Sequence, residues 1–293
     1  MARAAGLALA GLVAAGCARD ARPRDVSAPG HGMVPGSVAL GTTGGVLARR
    51  GPLPGAAEDP ADHDELPPLP NPDAPPPSAP SAAAAALPTA SRYASMDRAT
   101  CEGELARRNA PFERVASETR GVIAPVRVTG ALSGVEFHSM LPAAQRRTSP
   151  YEIYDCRLVL ALDDYAKILA RHDVVEVIHY SVYRPPTAKA VPSGPGRRHS
   201  GALAIDLATF KTKDGRVLNV EKDFHGRIGG KTCGPAAAPG ASLPPAGAEL
   251  RKMVCEAADA QLFNVLLTPH YNWQHRNHFH FEVTAGVRWV LVR

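Results

Sequence analysis

Two short runs hold the residues best equipped for chemistry. From His199 to Ala208 the branched residues Leu203, Ile205 and Leu207 alternate with Ala204, Asp206 and Ala208. A period of two is that of a strand: the branched side chains face a core, and the alanines leave room around the Asp206 carboxylate. Gly201 permits a turn that swings His199 back towards that carboxylate. From His275 to Val283 (HRNHFHFEV), His278 and His280 share one strand face while Phe279 and Phe281 share the other. Two imidazoles and a carboxylate make three protein ligands for a divalent metal and leave the fourth position for water, the pattern of a catalytic zinc site. Zinc activates such a water near neutral pH, and the H-x-H spacing keeps the second imidazole close enough to exchange protons. Glu282 follows His280 by two; it either orients the other ring nitrogen or joins an exposed ion pair. Tyr271 and Trp273 either line a cleft or pack.

Positioning these groups requires a folded domain, and the apolar periodicity supplies its elements. Helices are expected over 96–109, carrying Cys101; over 158–172, with Leu162, Tyr165, Ile168 and Leu169 at helical spacing; and over 246–262, carrying Cys255. Strands are expected over 122–128 and 135–137, separated by a glycine-rich turn, and over 174–180, 202–210, 216–220, 264–267 and 278–283. Asp214-Gly215 marks a tight hairpin turn between two of them. Helices mixed with hairpin-linked strands predict one α+β domain over 96–293, with a largely antiparallel sheet flanked by helices.

The two runs resemble a known signature. R-R-H-S-G-A-L-A-I-D-L is similar to the S-x-H-x-x-G-x-A-x-D motif of the zinc peptidases that include D-Ala-D-Ala carboxypeptidases, dipeptidases and penicillin-insensitive murein endopeptidases. His199, Ala204 and Asp206 fall in register, whereas Arg197 replaces the Ser and Ala202 stands where the Gly belongs. Ser181 to Pro186 (SVYRPP) looks like their S-G-Y-R-P segment, and H-R-N-H-F-H like the ending of the endopeptidase branch. Order, arginine loop and C-terminal H-x-H most resemble the extensin-like C-terminal domain family, which carries paired cysteines, over roughly the last two-thirds of the chain. The resemblance implies that His199, Asp206 and His280 hold Zn2+, and that Arg184 steadies a substrate carbonyl. Many members place a Glu base three residues before the last ligand, where this chain has Asn277; the base role then passes to His278, with His275 as helper. Asn277 itself points away on a regular strand and is expected to matter little. The activity implied is hydrolysis of peptidoglycan stem peptides; the alternative is a non-catalytic wall-binding lipoprotein that keeps the zinc pocket.

The N-terminal third differs in kind. Ala4 to Ala15 is an apolar run behind Arg3, shorter than the roughly 20 residues a membrane-spanning helix needs. It closes on Ala14-Ala15-Gly16-Cys17, which resembles the lipobox of a lipoprotein signal, so residues 1–17 are expected to direct export and Cys17 to be acylated. Ala18 is not the Asp typical of inner-membrane retention, which points to the outer membrane, on the periplasmic side. Residues 18–95, rich in Pro, Ala and Gly, bury too little to offset the entropy of ordering and read as a disordered, semi-rigid tether. Removing Cys17 from five cysteines leaves Cys101, Cys156, Cys233 and Cys255. In an exported protein an even set predicts two disulfides; of the three pairings, the sequence-local Cys101–Cys156 with Cys233–Cys255 is favoured. A formal charge of +5 over 293 residues falls short of a nucleic-acid footprint.

Overall fold

A computed structural model describes residues 87–187, 195–235, 237 and 243–293, which fall in one compact unit. The expected signal segment, Cys17 and the tether as far as residue 86 lie outside the described residues. Helical structure begins before the expected boundary at residue 96: α1 (Thr89–Ala94) buries Ala90, Tyr93 and Ala94. There follow α2 (Arg98–Arg107), β1 (Phe112–Arg114), β2 (Pro125–Val128), β3 (Glu136–Ser139), the one-turn α3 (Ala143–Arg146) and β4 (Tyr154–Asp155). The long helix α4 (Cys156–Arg171) then leads into β5 (Val174–His179), β6 (Ala204–Thr212) and β7 (Val217–Asn219). Short α5 (Val220–Asp223), α6 (Pro245–Asp259), β8 (Val265–Leu267), β9 (Phe279–Glu282) and β10 (Leu291–Val292) complete the order.

The fold is α+β, and its main sheet is mixed. Seven strands run β10-β8-β9-β6-β5-β3, with β7 added beside β6. The central pairings are antiparallel, but both outer ones, β10 with β8 and β3 with β5, are parallel. β1, β2 and β4 form a separate small antiparallel sheet. The strands expected on either side of a glycine-rich turn therefore belong to different sheets. The expected hairpin is present: Gly215, at φ 85°, turns the chain between β6 and β7, and Thr212 N–H donates to Arg216 O at 3.0 Å.

Helix α4 organises the core. Asp155 caps it by accepting from Arg157 N–H at 3.0 Å, and it ends where Asp173 turns left-handed at φ 58°. Leu158, Leu160, Leu162 and Leu169 are fully buried along it, each burial contributing about 1.5–3 kcal/mol. Its Tyr165 ring meets Phe263 and Phe281 at 5.8 and 5.5 Å. In the β6–β9 register Ile205 pairs with Phe281 and Leu207 with Phe279, so these apolar residues share the face that α4 covers. Strand alternation then sends Asp206 and His280 to the opposite face. Disulfides join Cys101 of α2 to Cys156 at the start of α4, and Cys233 to Cys255 of α6, the favoured pairing.

Candidate metal centre

Strand register builds the site. Asp206 stands directly opposite His280 in the β6–β9 pairing, and such partners place their Cβ atoms about 4.5–5.5 Å apart. The same-face neighbours on β6 are Ala204 and Ala208, both buried, so small side chains surround the carboxylate as the alternation predicted. His199 arrives on a 3-10 turn, Arg198–Gly201, just before β6. A Cβ on Gly201 would lie 2.2 Å from Gly196 O, so the turn can close only on glycine. Ala202 follows in the left-handed region at φ 53°, a conformation that favours glycine. The segment after β5 locks in place against both runs: Asp206 N–H donates to Ser181 O at 3.2 Å and Arg184 N–H to His199 O at 3.1 Å.

His199 Nε2 and His280 Nδ1 each lie 3.1 Å from Asp206 Oδ1 and 3.3 Å from one another. Donors at about 2.0–2.1 Å from a tetrahedral zinc stand about 3.3–3.4 Å apart, so the spacing fits that ion. Two imidazole nitrogens and a carboxylate oxygen are also a donor set that zinc accepts readily. Among the described residues these three form the one group of His, Cys, Asp or Glu whose ligand atoms all lie within 4.8 Å of one another. Protons sharpen the fit. His199 Nδ1 is 2.7 Å from Val182 O; a carbonyl can only accept, so Nδ1 carries the hydrogen and a neutral His199 offers a lone pair at Nε2. Nε2 converges with Asp206 Oδ1 at 3.1 Å, a pair that either a shared proton or a metal ion can bridge.

The second oxygen of Asp206 is fixed by the protein. Ser181 Oγ donates to Oδ2 at 3.2 Å, and Arg184 Nη2 forms an ion pair with the same atom. Arg184 Nε also donates to Ser181 Oγ at 2.9 Å. The arginine expected at a substrate carbonyl thus rests on the carboxylate of a candidate ligand, with a third of its side chain exposed. Burial alone would raise the Asp206 pKa, but the charges of His199 and His278 and hydrogen bonds from His199 and His280 hold it well below the usual range. For His280 burial works against protonation, yet hydrogen bonds to Asp206 and Glu282 lift its pKa to about 9. The same negative field that attracts this proton attracts a metal ion. Glu282 is almost wholly buried, not an exposed ion-pair residue, with Oε2 3.6 Å from both His280 Nε2 and Arg198 Nε. It faces the outer nitrogen of His280, leaving Nδ1 for the centre.

Two more imidazoles complete the cluster. His278 Nε2 is 3.5 Å from Asp206 Oδ1, and the Tyr180 ring stands edge-on to His278 at 5.8 Å. His275 packs 5.1 Å from His278 and 5.7 Å from His280. Burial and the neighbouring His280 and His278 push the His275 pKa down to about 2, so its ring is neutral. All the histidines singled out in the two runs therefore meet at one place.

Residues 99–293 match the family described as Extensin-like protein C-terminus. This chain belongs to the extensin-like C-terminal family. No curated protein and no solved structure matches it. The span shared with the extensin-like family holds both disulfides and the whole His/Asp cluster and begins after α1. In this extensin-like domain Trp273 does not pack inward: it is 67% exposed, with the Arg276 guanidinium 4.7 Å from its ring centre, while Tyr271 is half-buried 5.4 Å from the His275 ring. Sequence reasoning missed Ser181, Val182 O and Asn272 as partners of the cluster. It also set Asn277 aside, because a strand was expected from residue 278 and the strand starts at Phe279. Asn277 lies in the preceding turn with its side-chain oxygen 2.8 Å from His278 Nδ1.

Proposed function

We propose that this chain is a zinc-dependent hydrolase of peptide bonds in bacterial peptidoglycan, related to the D-Ala-D-Ala carboxypeptidase and murein endopeptidase group. The observation that carries this reading is the convergence of His199 Nε2, Asp206 Oδ1 and His280 Nδ1, with a further imidazole, His278, 3.5 Å from the same carboxylate oxygen. His199, Asp206 and His280 would hold the ion. When bound, zinc supplies Lewis-acid polarisation of water and of the scissile carbonyl. His278 takes up a proton through Nε2 as water attacks the carbonyl carbon, and returns it to the leaving nitrogen as the C–N bond breaks. Ser181 and Arg184 keep Asp206 oriented, and the guanidinium stands beside the developing oxyanion. The export signal and Cys17 would carry the enzyme to the periplasmic face of the outer membrane on a lipid anchor, with the proline-rich segment as tether.

Digestion of purified sacculi tests the reading. Zinc-loaded protein should release muropeptides with new peptide ends, seen by mass spectrometry, and chelated protein should not. Binding to sacculi without new ends would instead identify a wall-binding module and end the peptidase reading.

A further inference from the structure

We propose that Asn277 is a positioning residue: its side-chain oxygen holds His278 as the Nδ1–H tautomer, so that the Nε2 lone pair is presented to the metal centre. This deepens the reading of His278 as proton carrier and rests on it for its catalytic consequence. The geometry is direct. Asn277 Oδ1 lies 2.8 Å from His278 Nδ1, and an amide oxygen can only accept, so the hydrogen sits on Nδ1. The opposite nitrogen, Nε2, lies 3.5 Å from Asp206 Oδ1, which can accept a hydrogen from a protonated ring in the metal-free protein; with a cation at the centre the same nitrogen offers its lone pair. Tyr180 and His275 bracket the ring at 5.8 and 5.1 Å, which limits its position but does not choose between its tautomers. That choice lies with the polar partners, among them the Asn277 oxygen at Nδ1 and the Asp206 carboxylate facing Nε2.

The same device recurs around the cluster. Asn272 Oδ1 lies 2.6 Å from His275 Nδ1 and also accepts from the His275 backbone N–H at 3.1 Å. Val182 O holds His199 Nδ1 at 2.7 Å. Three of the four imidazoles thus place their Nδ1 hydrogen on a neutral oxygen outside the centre. His280 is turned the other way, with Nδ1 inward and Nε2 towards Glu282. With no acceptor at position 277, His278 could carry its hydrogen on Nε2 instead. A hydrogen there points at the centre and cannot accept a proton from attacking water. Asparagine at this position is therefore a working part of the site.

Long-range proton–nitrogen NMR of the full chain labelled with 15N-histidine reads the tautomer directly, metal-stripped and zinc-loaded, with the His278 signals assigned by their loss in His278→Gln. Wild-type His278 should carry a hydrogen on Nδ1 in both states. Asn277→Asp, which keeps an acceptor, should retain it. Asn277→Ala should gain the Nε2–H form and lose about 10- to 100-fold in muropeptide hydrolysis at unchanged zinc content. Wild-type His278 found as Nε2–H overturns the proposal without any variant. So does Asn277→Ala that keeps both the Nδ1–H form and the wild-type rate. If the tautomers behave as expected but no form binds zinc or cleaves, the positioning role stands and the peptidase reading falls.

Discussion

Replacing Asp206 by Asn separates the metal from the fold. Asp206 Oδ1 meets His199 Nε2 and His280 Nδ1 at 3.1 Å each, and an amide of nearly the same shape can turn its NH2 towards those nitrogens. The variant should fold without metal, because its amide can donate to the imidazole nitrogens that face position 206. Zinc affinity should collapse. Outer-shell changes already cost 10- to 100-fold, so loss of a charged direct ligand should cost at least about 100-fold. An ion that binds only the folded state adds about 2.7 kcal/mol at 100 times its Kd. For a domain of roughly 200 residues that raises Tm by about 5–11 °C. At the same zinc concentration an affinity 100-fold weaker leaves about 0.4 kcal/mol, a shift of about 1 °C. Melting curves of chelator-stripped protein titrated with zinc read both values. Asp206→Asn showing the full wild-type shift would refute the assignment of Asp206 as a ligand.

Other parts of the structure give independent tests. His278→Ala should keep the zinc-dependent rise in Tm yet lose about 100- to 10,000-fold in muropeptide turnover; wild-type turnover in this variant would remove His278 from the mechanism. The two disulfides close loops of 55 and 22 residues, so chain entropy assigns about 4 kcal/mol to Cys101–Cys156 and about 3 kcal/mol to Cys233–Cys255. Denaturant unfolding of the paired Ser variants checks those losses, and no loss from either pair would contradict the assignment. Buried Glu152 accepts from Ser139 N–H at 2.7 Å and faces His179 Nε2 at 3.7 Å. Burial alone would raise its pKa, but the His179 contact outweighs it and lowers the value to about 2 from 4.5. A depressed carboxylate stabilises the fold above about pH 4.5, and that contribution is lost as pH falls through about 2. Glu152→Gln should therefore lose stability at neutral pH and show a flatter acid limb; an acid profile parallel to wild type would count against this.

The residues of the centre were legible because strand alternation is local. Leu203, Ile205 and Leu207 had to share a face, which left Asp206 among alanines, and the same logic separated His280 from Phe279 and Phe281. Their meeting was expected from the family resemblance and not from local pattern, since it depends on Asp206 pairing with His280 across 74 residues, and register between distant strands is a property of the packed sheet. Parallel pairing at both edges of the sheet escaped notice for the same reason. Helix α1 was missed because it is six residues long, has no side-chain cap, and adjoins proline- and alanine-rich sequence; burial of Tyr93 and Ala94 against the core holds it. The partners of the imidazoles lay furthest from view. Val182 contributes only a carbonyl, which carries no side-chain signature, and Asn277 acts from a turn where a regular strand would have pointed it away.

Zinc-edge anomalous diffraction from crystals of the zinc-loaded protein tests the metal centre most directly. A single strong peak bonded to His199 Nε2, Asp206 Oδ1 and His280 Nδ1, with His278 Nε2 close by and unbonded to it, is the predicted result. No peak between those three atoms, or a zinc held by other residues, would contradict it.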